Sequence, residues 1–252
     1  MGAAMLAGWR VRGLAASVVV DPSPPAGLAS EGVMVVDGPD AIPGGFSPAV
    51  MVFAVKPQIA TDALPAYARF NAGALIVSIM AGRTLAGLAA LIGPGAAVRA
   101  MPNTPAAIAQ GFTAAFAGPG VTSGQRALAN DLLTAVGDVA WVEAESQLDA
   151  VTAVSGGGPA YVFLLTELLE AAAIEQGLPP ELAKHLARRT VAGSGALLAA
   201  SGDAPADMRR AVTSAKGTTE RALAVLMADD AWPALMSRAI AAATERSREL
   251  SQ

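Results

Sequence analysis

Residues Val212-Thr213-Ser214-Ala215-Lys216-Gly217-Thr218-Thr219-Glu220 put hydroxyls, a glycine and a cation directly before an apolar helical pattern made by Ala222, Leu223, Val225 and Leu226. A loop that feeds hydroxyls and spare backbone N–H groups into a helix start is a seat for an anion. The run Ser155-Gly156-Gly157-Gly158-Pro159-Ala160-Tyr161 enters a second helix in a similar way. Two such loops in one helical half point to a pocket for a small carboxylate, although a single Ser/Thr/Gly cluster at a helix start is ordinarily just a cap.

Other chemistries are short of residues. The chain has no cysteine and one histidine, His185, which shares a helical pattern with Lys184, Arg188 and Arg189 and reads as a surface residue. Disulfides and thiolate zinc sites are excluded, and no imidazole cluster is available, so no metal site is expected. The net charge is −4 and no basic run exceeds two residues, which argues against nucleic acid as a partner. Hydrophobic residues make up 53% of the 252 and charged ones 15%, so a good deal of apolar surface must be covered by an oligomer interface. No uninterrupted apolar stretch of membrane-spanning length and no signal peptide are apparent, and a soluble cytoplasmic protein is expected.

The elements that must position these loops fall into two halves. Short β-rich runs are expected at Ser17–Val20, Val33–Val36, Val50–Ala54, Leu75–Ile79, Ala97–Met101, Phe112–Phe116 and Val139–Val142. Helical stretches, among them Gln58–Phe70, Leu85–Ile92 and Gln125–Val136, lie between several of them. This alternation predicts a parallel sheet covered on both faces, with ligands bound beyond the carboxyl ends of its strands. From about Gln147 the β signal stops, and helices are expected at Pro159–Gln176, Pro180–Ala200, Pro205–Val212, Thr218–Met227 and Ala231–Leu250. Gly177 and Gly202 stand where C-terminal caps belong, and Pro159 and Pro180 suit first helical turns.

The opening, Met1-Gly2-Ala3-Ala4-Met5-Leu6-Ala7-Gly8-Trp9, reads as helix from its first residues. A dinucleotide fold starts with a strand and a Gly-x-Gly-x-x-Gly turn, and only the place of its last glycine is filled here, by Gly2. The expectation is a fold met after its first strand, with two strand edges left open. A start codon assigned too late is favoured over a truly shortened protein.

Five motifs in order carry a resemblance to the pyrroline-5-carboxylate reductase family. They are Ala54-Val55-Lys56-Pro57-Gln58, Ser78-Ile79-Met80-Ala81-Gly82, Arg99-Ala100-Met101-Pro102-Asn103-Thr104-Pro105, and the two helical-half loops. The resemblance implies an α/β dinucleotide-binding (Rossmann-type) domain over residues 1–145, followed by an all-α dimerisation domain over 146–252. It implies reduction of 1-pyrroline-5-carboxylate to L-proline by a homodimer or a larger ring of dimers. Cofactor contacts carry over to Gly2, Asp21, Ser23, Ala54, Lys56, Pro57, Ala81 and Asn103, and substrate contacts to Glu145, Ser214, Gly217, Thr218 and Thr219. Thr152 and Thr219 fall at the positions expected to act on the reacting ring and its carboxylate. The family's usual Ser-Pro-Gly-Gly-Thr-Thr is Ser214-Ala215-Lys216-Gly217-Thr218-Thr219 here, and Gly157 replaces a more usual serine.

The resemblance puts NADPH first, with NADH as the alternative. Asp21 at a strand end favours a free ribose 2′-hydroxyl, while Ser23 offers a hydroxyl to a 2′-phosphate. Taken without the resemblance, Lys56 reads equally as a solvated loop cation, Asn103 as a turn residue between prolines, and Glu145 as part of an exposed acidic stretch with Glu143 and Asp149. Trp9, Trp141 and Trp232 read as packing residues. Rival functions are a 3-hydroxyacid-dehydrogenase-like enzyme, another imine reductase, and a non-catalytic dimer.

Overall fold

The computed structural model describes residues 1–250. It divides into two units: Met1–Gly156 together with the segment from Ala243 onward, and Gly157–Ala242. The compact units part at Gly156, since α5 (Gln147–Val151) and the π-helical turn Thr152–Gly156 belong to the first. Leu148 in α5 is fully buried, and the Ser247 hydroxyl donates to Asp149 Oδ1 at 2.7 Å, which ties the end of the last helix to the same unit.

In the first unit α1 (Gly2–Val11) precedes two sheets. β1 (Ser17–Val20) and β2 (Val33–Val36) form a parallel pair of their own. β3 (Val50–Phe53), β4 (Leu75–Ser78), β5 (Ala97–Pro102), β6 (Gly111–Ala117) and β7 (Gly137–Trp141) form the second sheet, in that order. Every predicted strand is present. Among the described residues β1 pairs only with β2, and β3 only with β4.

Pairing in the second sheet is parallel except between β5 and β6. A wholly parallel sheet is not realised because β5 and β6 are joined through the 3₁₀ turn Thr104–Ile108, too short for the crossover a parallel return needs.

Side chains alternate between two cores. On β4, Leu75 and Val77 join Met5, Leu133 and Val136 on one face, while Ile76 joins Leu64, Leu88 and Ile92 on the other. On β3, Met51 and Phe53 enter the second core and Val50 and Val52 border the first. Burial on both faces explains why these strands read as nearly unbroken apolar runs.

The helices start where their caps dictate. Thr84 Oγ1 accepts the Gly87 N–H at 3.0 Å ahead of α3 (Leu85–Ile92), and a Thr122–Gln125 capping box opens α4 (Ser123–Leu133). The predicted helix over 58–70 is broken up: only α2 (Ala60–Ala63) is α-helical, flanked by 3₁₀ turns Pro57–Ile59 and Leu64–Phe70. Pro65 has no N–H to give and its ring crowds the turn before it. Trp9 and Trp141 pack as expected, their indole N–H groups donating to Leu132 O at 2.7 Å and Asn130 Oδ1 at 3.1 Å.

The second unit is helical: α6 (Gly158–Glu175), α7 (Pro180–Ala200), α8 (Pro205–Ala211), α9 (Thr218–Leu226) and most of α10 (Trp232–Leu250). Pro159 and Pro180 sit in first turns, and Gly177 follows α6 at φ 87°. α6, α8 and α9 bury no residue and α7 buries only Ala183 and Ala187, while Phe163 is 65% and Leu197 66% exposed. Helices with so little core of their own need apolar cover from elsewhere to be stable in water.

Candidate active site

Asp21 follows β1, Ala54 and Lys56 follow β3, Ala81 follows β4 and Asn103 follows β5, so the predicted cofactor residues line the carboxyl ends of parallel strands. α1 points its start toward this rim. Its first N–H groups have no carbonyl within the helix, and Met1 supplies no side-chain cap. A Cβ on Gly2 would lie 3.0 Å from the Ala54 Cβ, tighter than ordinary contact, so a larger residue at either position would force helix and strand apart. Spare helix amides beside a small residue at a strand end suit the pyrophosphate of a dinucleotide, and the residues present fit such a group.

The rim loops are fastened to each other. Arg83 Nη2 donates to Pro57 O and Thr61 Oγ1, both at 3.1 Å, which ties the loop after β4 to the turn that Lys56 begins. The Lys56 side chain is exposed. Asn103 Oδ1 accepts the Phe112 N–H at 2.8 Å while its Nδ2 donates to Ser155 Oγ at 3.2 Å, joining the β5 loop to the π-helical turn. Asn103 is therefore more than a turn residue between prolines. Arg83 is not signalled by the sequence, and Ser155 appears there only as the head of the glycine loop, since their partners lie on other elements.

Glu145 is not part of an exposed stretch. Its Oε1 accepts the Leu85 N–H at 2.8 Å and Arg99 Nη1 at 3.2 Å, and Arg99 is only 4% exposed. The carboxylate thus caps α3 and neutralises a guanidinium within β5. The signal for this pair was in the sequence: a lone arginine in the otherwise apolar strand Ala97–Pro102 must find a partner. Asp149, grouped with Glu145 in the same stretch, is buried, held by Ser247.

Thr152 opens the π-helical turn and its hydroxyl donates to Leu148 O at 2.7 Å. With the proton spent there, the Thr152 oxygen keeps its lone pairs as an acceptor. Among the described residues no group of three or more His, Cys, Asp and Glu is arranged to hold a metal ion.

In the second unit, Ser214, Lys216, Thr218 and Thr219 are exposed around the start of α9. Gly217 donates its N–H to Ser214 O at 3.1 Å, so its amide is used inside the loop, leaving those of Thr218 and Thr219 in the first helical turn. Lys216 takes a left-handed backbone at φ 60°, and its N–H donates to Glu220 Oε2 at 2.7 Å. Its ammonium makes no salt bridge among the described residues.

Comparison with known proteins agrees with this geometry. A family model described as pyrroline-5-carboxylate reductase dimerisation matches residues 145–250. A pyrroline-5-carboxylate reductase of Pseudomonas aeruginosa is 38% identical over 257 aligned residues, covering 100% of this chain and 94% of that protein. The solved structure of a pyrroline-5-carboxylate reductase from Coxiella burnetii superposes with a TM-score of 0.90 at 32% identity, covering 100% of this chain and 95% of that one. A Plasmodium falciparum pyrroline carboxylate reductase solved with NADP bound gives a TM-score of 0.84 at 25% identity, over 100% of this chain and 94% of that one. With a Rossmann-like unit, a helical dimerisation unit and similarity along its whole length, the chain belongs to the pyrroline-5-carboxylate reductase family.

Proposed function

We propose that this chain reduces 1-pyrroline-5-carboxylate to L-proline with a reduced nicotinamide cofactor, NADPH or NADH, working as a cytoplasmic homodimer or a ring of such dimers. The observation that carries the reading is the 38% identity to the Pseudomonas enzyme across the whole of this chain. The cofactor, when bound, supplies the hydride. The protein's part is then mainly positioning, which suits a site without a metal cluster or a nucleophilic triad.

The N–H groups of Thr218 and Thr219, at the positive end of α9, hold the substrate carboxylate, and the Thr219 hydroxyl adds a further donor. The Thr152 oxygen, its own proton given to Leu148 O, accepts a hydrogen bond from the protonated ring nitrogen. Asn103, fixed by Phe112 and Ser155, holds the β5 loop against the π-helical turn that carries Thr152.

The exposed apolar faces of α6 and α7 are the dimer surface in this reading. The helical stretch Gln147–Glu175 is long and apolar enough to cross a membrane by length and composition alone, but it falls within the residues matched to the dimerisation family. A second protomer, and not lipid, is its cover.

The test is oxidation of NADPH and NADH by the purified chain with 1-pyrroline-5-carboxylate. A folded dimer that turns over neither cofactor overturns the proposal. Thr152→Val lowers kcat about 10- to 100-fold, the worth of one charge-assisted hydrogen bond; unchanged turnover removes Thr152 from the mechanism.

A further inference from the structure

The carboxyl end of the β1–β2 pair is acidic on both strands. β1 and β2 run in parallel with Val20 opposite Val36, and the Asp21 N–H continues the ladder to Val36 O at 3.0 Å. The next residue on each strand is a carboxylate, Asp21 on one and Asp37 on the other. Asp21 Oδ1 accepts the Ser23 N–H at 2.9 Å, which fixes the side chain and leaves its second oxygen for an outside donor. Asp37 is exposed beside it.

Among the described residues neither Asp21 nor Asp37 makes a salt bridge. From residue 13 to residue 55 there is no lysine, arginine or histidine, while Asp21, Glu31, Asp37 and Asp40 all fall within that stretch. The arginines whose contacts reach this region or close α1 are held by neutral oxygens and pair with neither carboxylate: Arg10 Nη2 donates to Leu28 O, Arg12 to Thr134 Oγ1 at 2.8 Å and Thr134 O at 2.6 Å, and Arg69 Nη2 to Pro39 O at 2.6 Å. The next cation in the chain, Lys56, follows β3, a strand that does not pair with β1.

We infer that this chain selects NADH over NADPH, with Asp21 and Asp37 as the residues that discriminate. The inference rests on the reductase reading for the presence of a nicotinamide cofactor, and on these two carboxylates for the choice. In dinucleotide folds the acid closing the second strand accepts from the ribose 2′-hydroxyl. The free Asp21 oxygen does so here. A 2′-phosphate brings a charge of about −1.5 to −2 to the same place, against two carboxylates that no cation pairs with. The neutral Ser23 hydroxyl cannot offset that repulsion. Even in high dielectric and physiological salt the penalty amounts to at least about tenfold in affinity. Although the family resemblance favours NADPH, the charges of this strand end favour NADH.

The experiment is equilibrium titration calorimetry of the full chain with NADH and with NADPH, alongside steady-state oxidation of each. The expected result is an NADH Kd at least about tenfold below that of NADPH. Asp21→Asn then moves the two affinities in opposite directions, weakening NADH and tightening NADPH, and adding Asp37→Asn tightens NADPH further. A merely structural Asp21 would shift both by the same factor, and that result overturns the inference. So does equal or tighter binding of NADPH, or binding of neither. NADH-selective binding without turnover of 1-pyrroline-5-carboxylate keeps the inference and sinks the reductase reading. Turnover with equal kcat/KM for both cofactors does the reverse.

Discussion

Glu145 can be separated from a substrate role by measuring stability and kinetics on the same variants. Its carboxylate faces the Arg99 guanidinium, 4% exposed, and is itself 25% exposed. Breaking a buried pair from one side costs about 3–5 kcal/mol because the remaining charge stays desolvated. Water reaches Glu145, so the lower end applies, and Glu145→Ala loses about 3 kcal/mol. About 1 kcal/mol of this is the hydrogen bond from the Leu85 N–H, which the Gln carbonyl restores, so Glu145→Gln loses about 2 kcal/mol. Replacing both partners by apolar residues, Arg99→Met with Glu145→Leu, recovers most of the loss, since no charge is left buried. The assay is urea unfolding followed by circular dichroism at one fixed protomer concentration, because association contributes to the stability of an oligomer. KM for 1-pyrroline-5-carboxylate is measured on the same preparations. The structure requires a stability loss with KM little changed in the folded fraction. Glu145→Ala within about 0.5 kcal/mol of the parent, with a raised KM, would refute the reasoning and return Glu145 to the substrate.

Three further outcomes are expected. Phe163→Asp, on the exposed face of α6, dissociates the oligomer, read by sedimentation velocity; an unchanged sedimentation coefficient removes that face from the interface. Because Lys216 sits at φ 60°, Lys216→Asn is as stable as the parent while Lys216→Val loses about 1 kcal/mol, and equal stability of the two variants excludes the left-handed loop. Burial raises the Tyr67 phenol above its ordinary 10.0, so folding favours the neutral ring, and stability falls as pH rises past that value. Tyr67→Phe removes this part of the alkaline fall, and an identical alkaline profile counts against it.

What could be read from the sequence was whatever depends on neighbours a few residues away. β1, β2, α3 and α7 begin and end where periodicity and caps place them. Over 58–70 the apolar spacing of a helix is present, but Pro65 interrupts it, an effect that is equally local. Other features needed partners remote in the chain. Asp149 meets Ser247 across 98 positions and Arg99 meets Glu145 across 46, so neither the unit boundary at Gly156 nor the true neighbours of Glu145 follow from local pattern. The rim residues were legible only through motif resemblance. Asp37 was not, because its significance comes from the parallel register that sets it beside Asp21.

The return of the last helix to the first unit has a consequence for biogenesis. Residues 1–156 leave the ribosome early, yet Asp149 then lacks Ser247, and Gly82 lacks the Leu250 backbone that packs over it. Making the intervening chain takes on the order of 5–20 s at ordinary elongation rates, and through that interval the nucleotide-binding half is an unfinished intermediate with an open sheet. Its final closure waits for the last helix, so a deletion that removes Ser247 acts on the Rossmann half, far from where the edit is made in the chain.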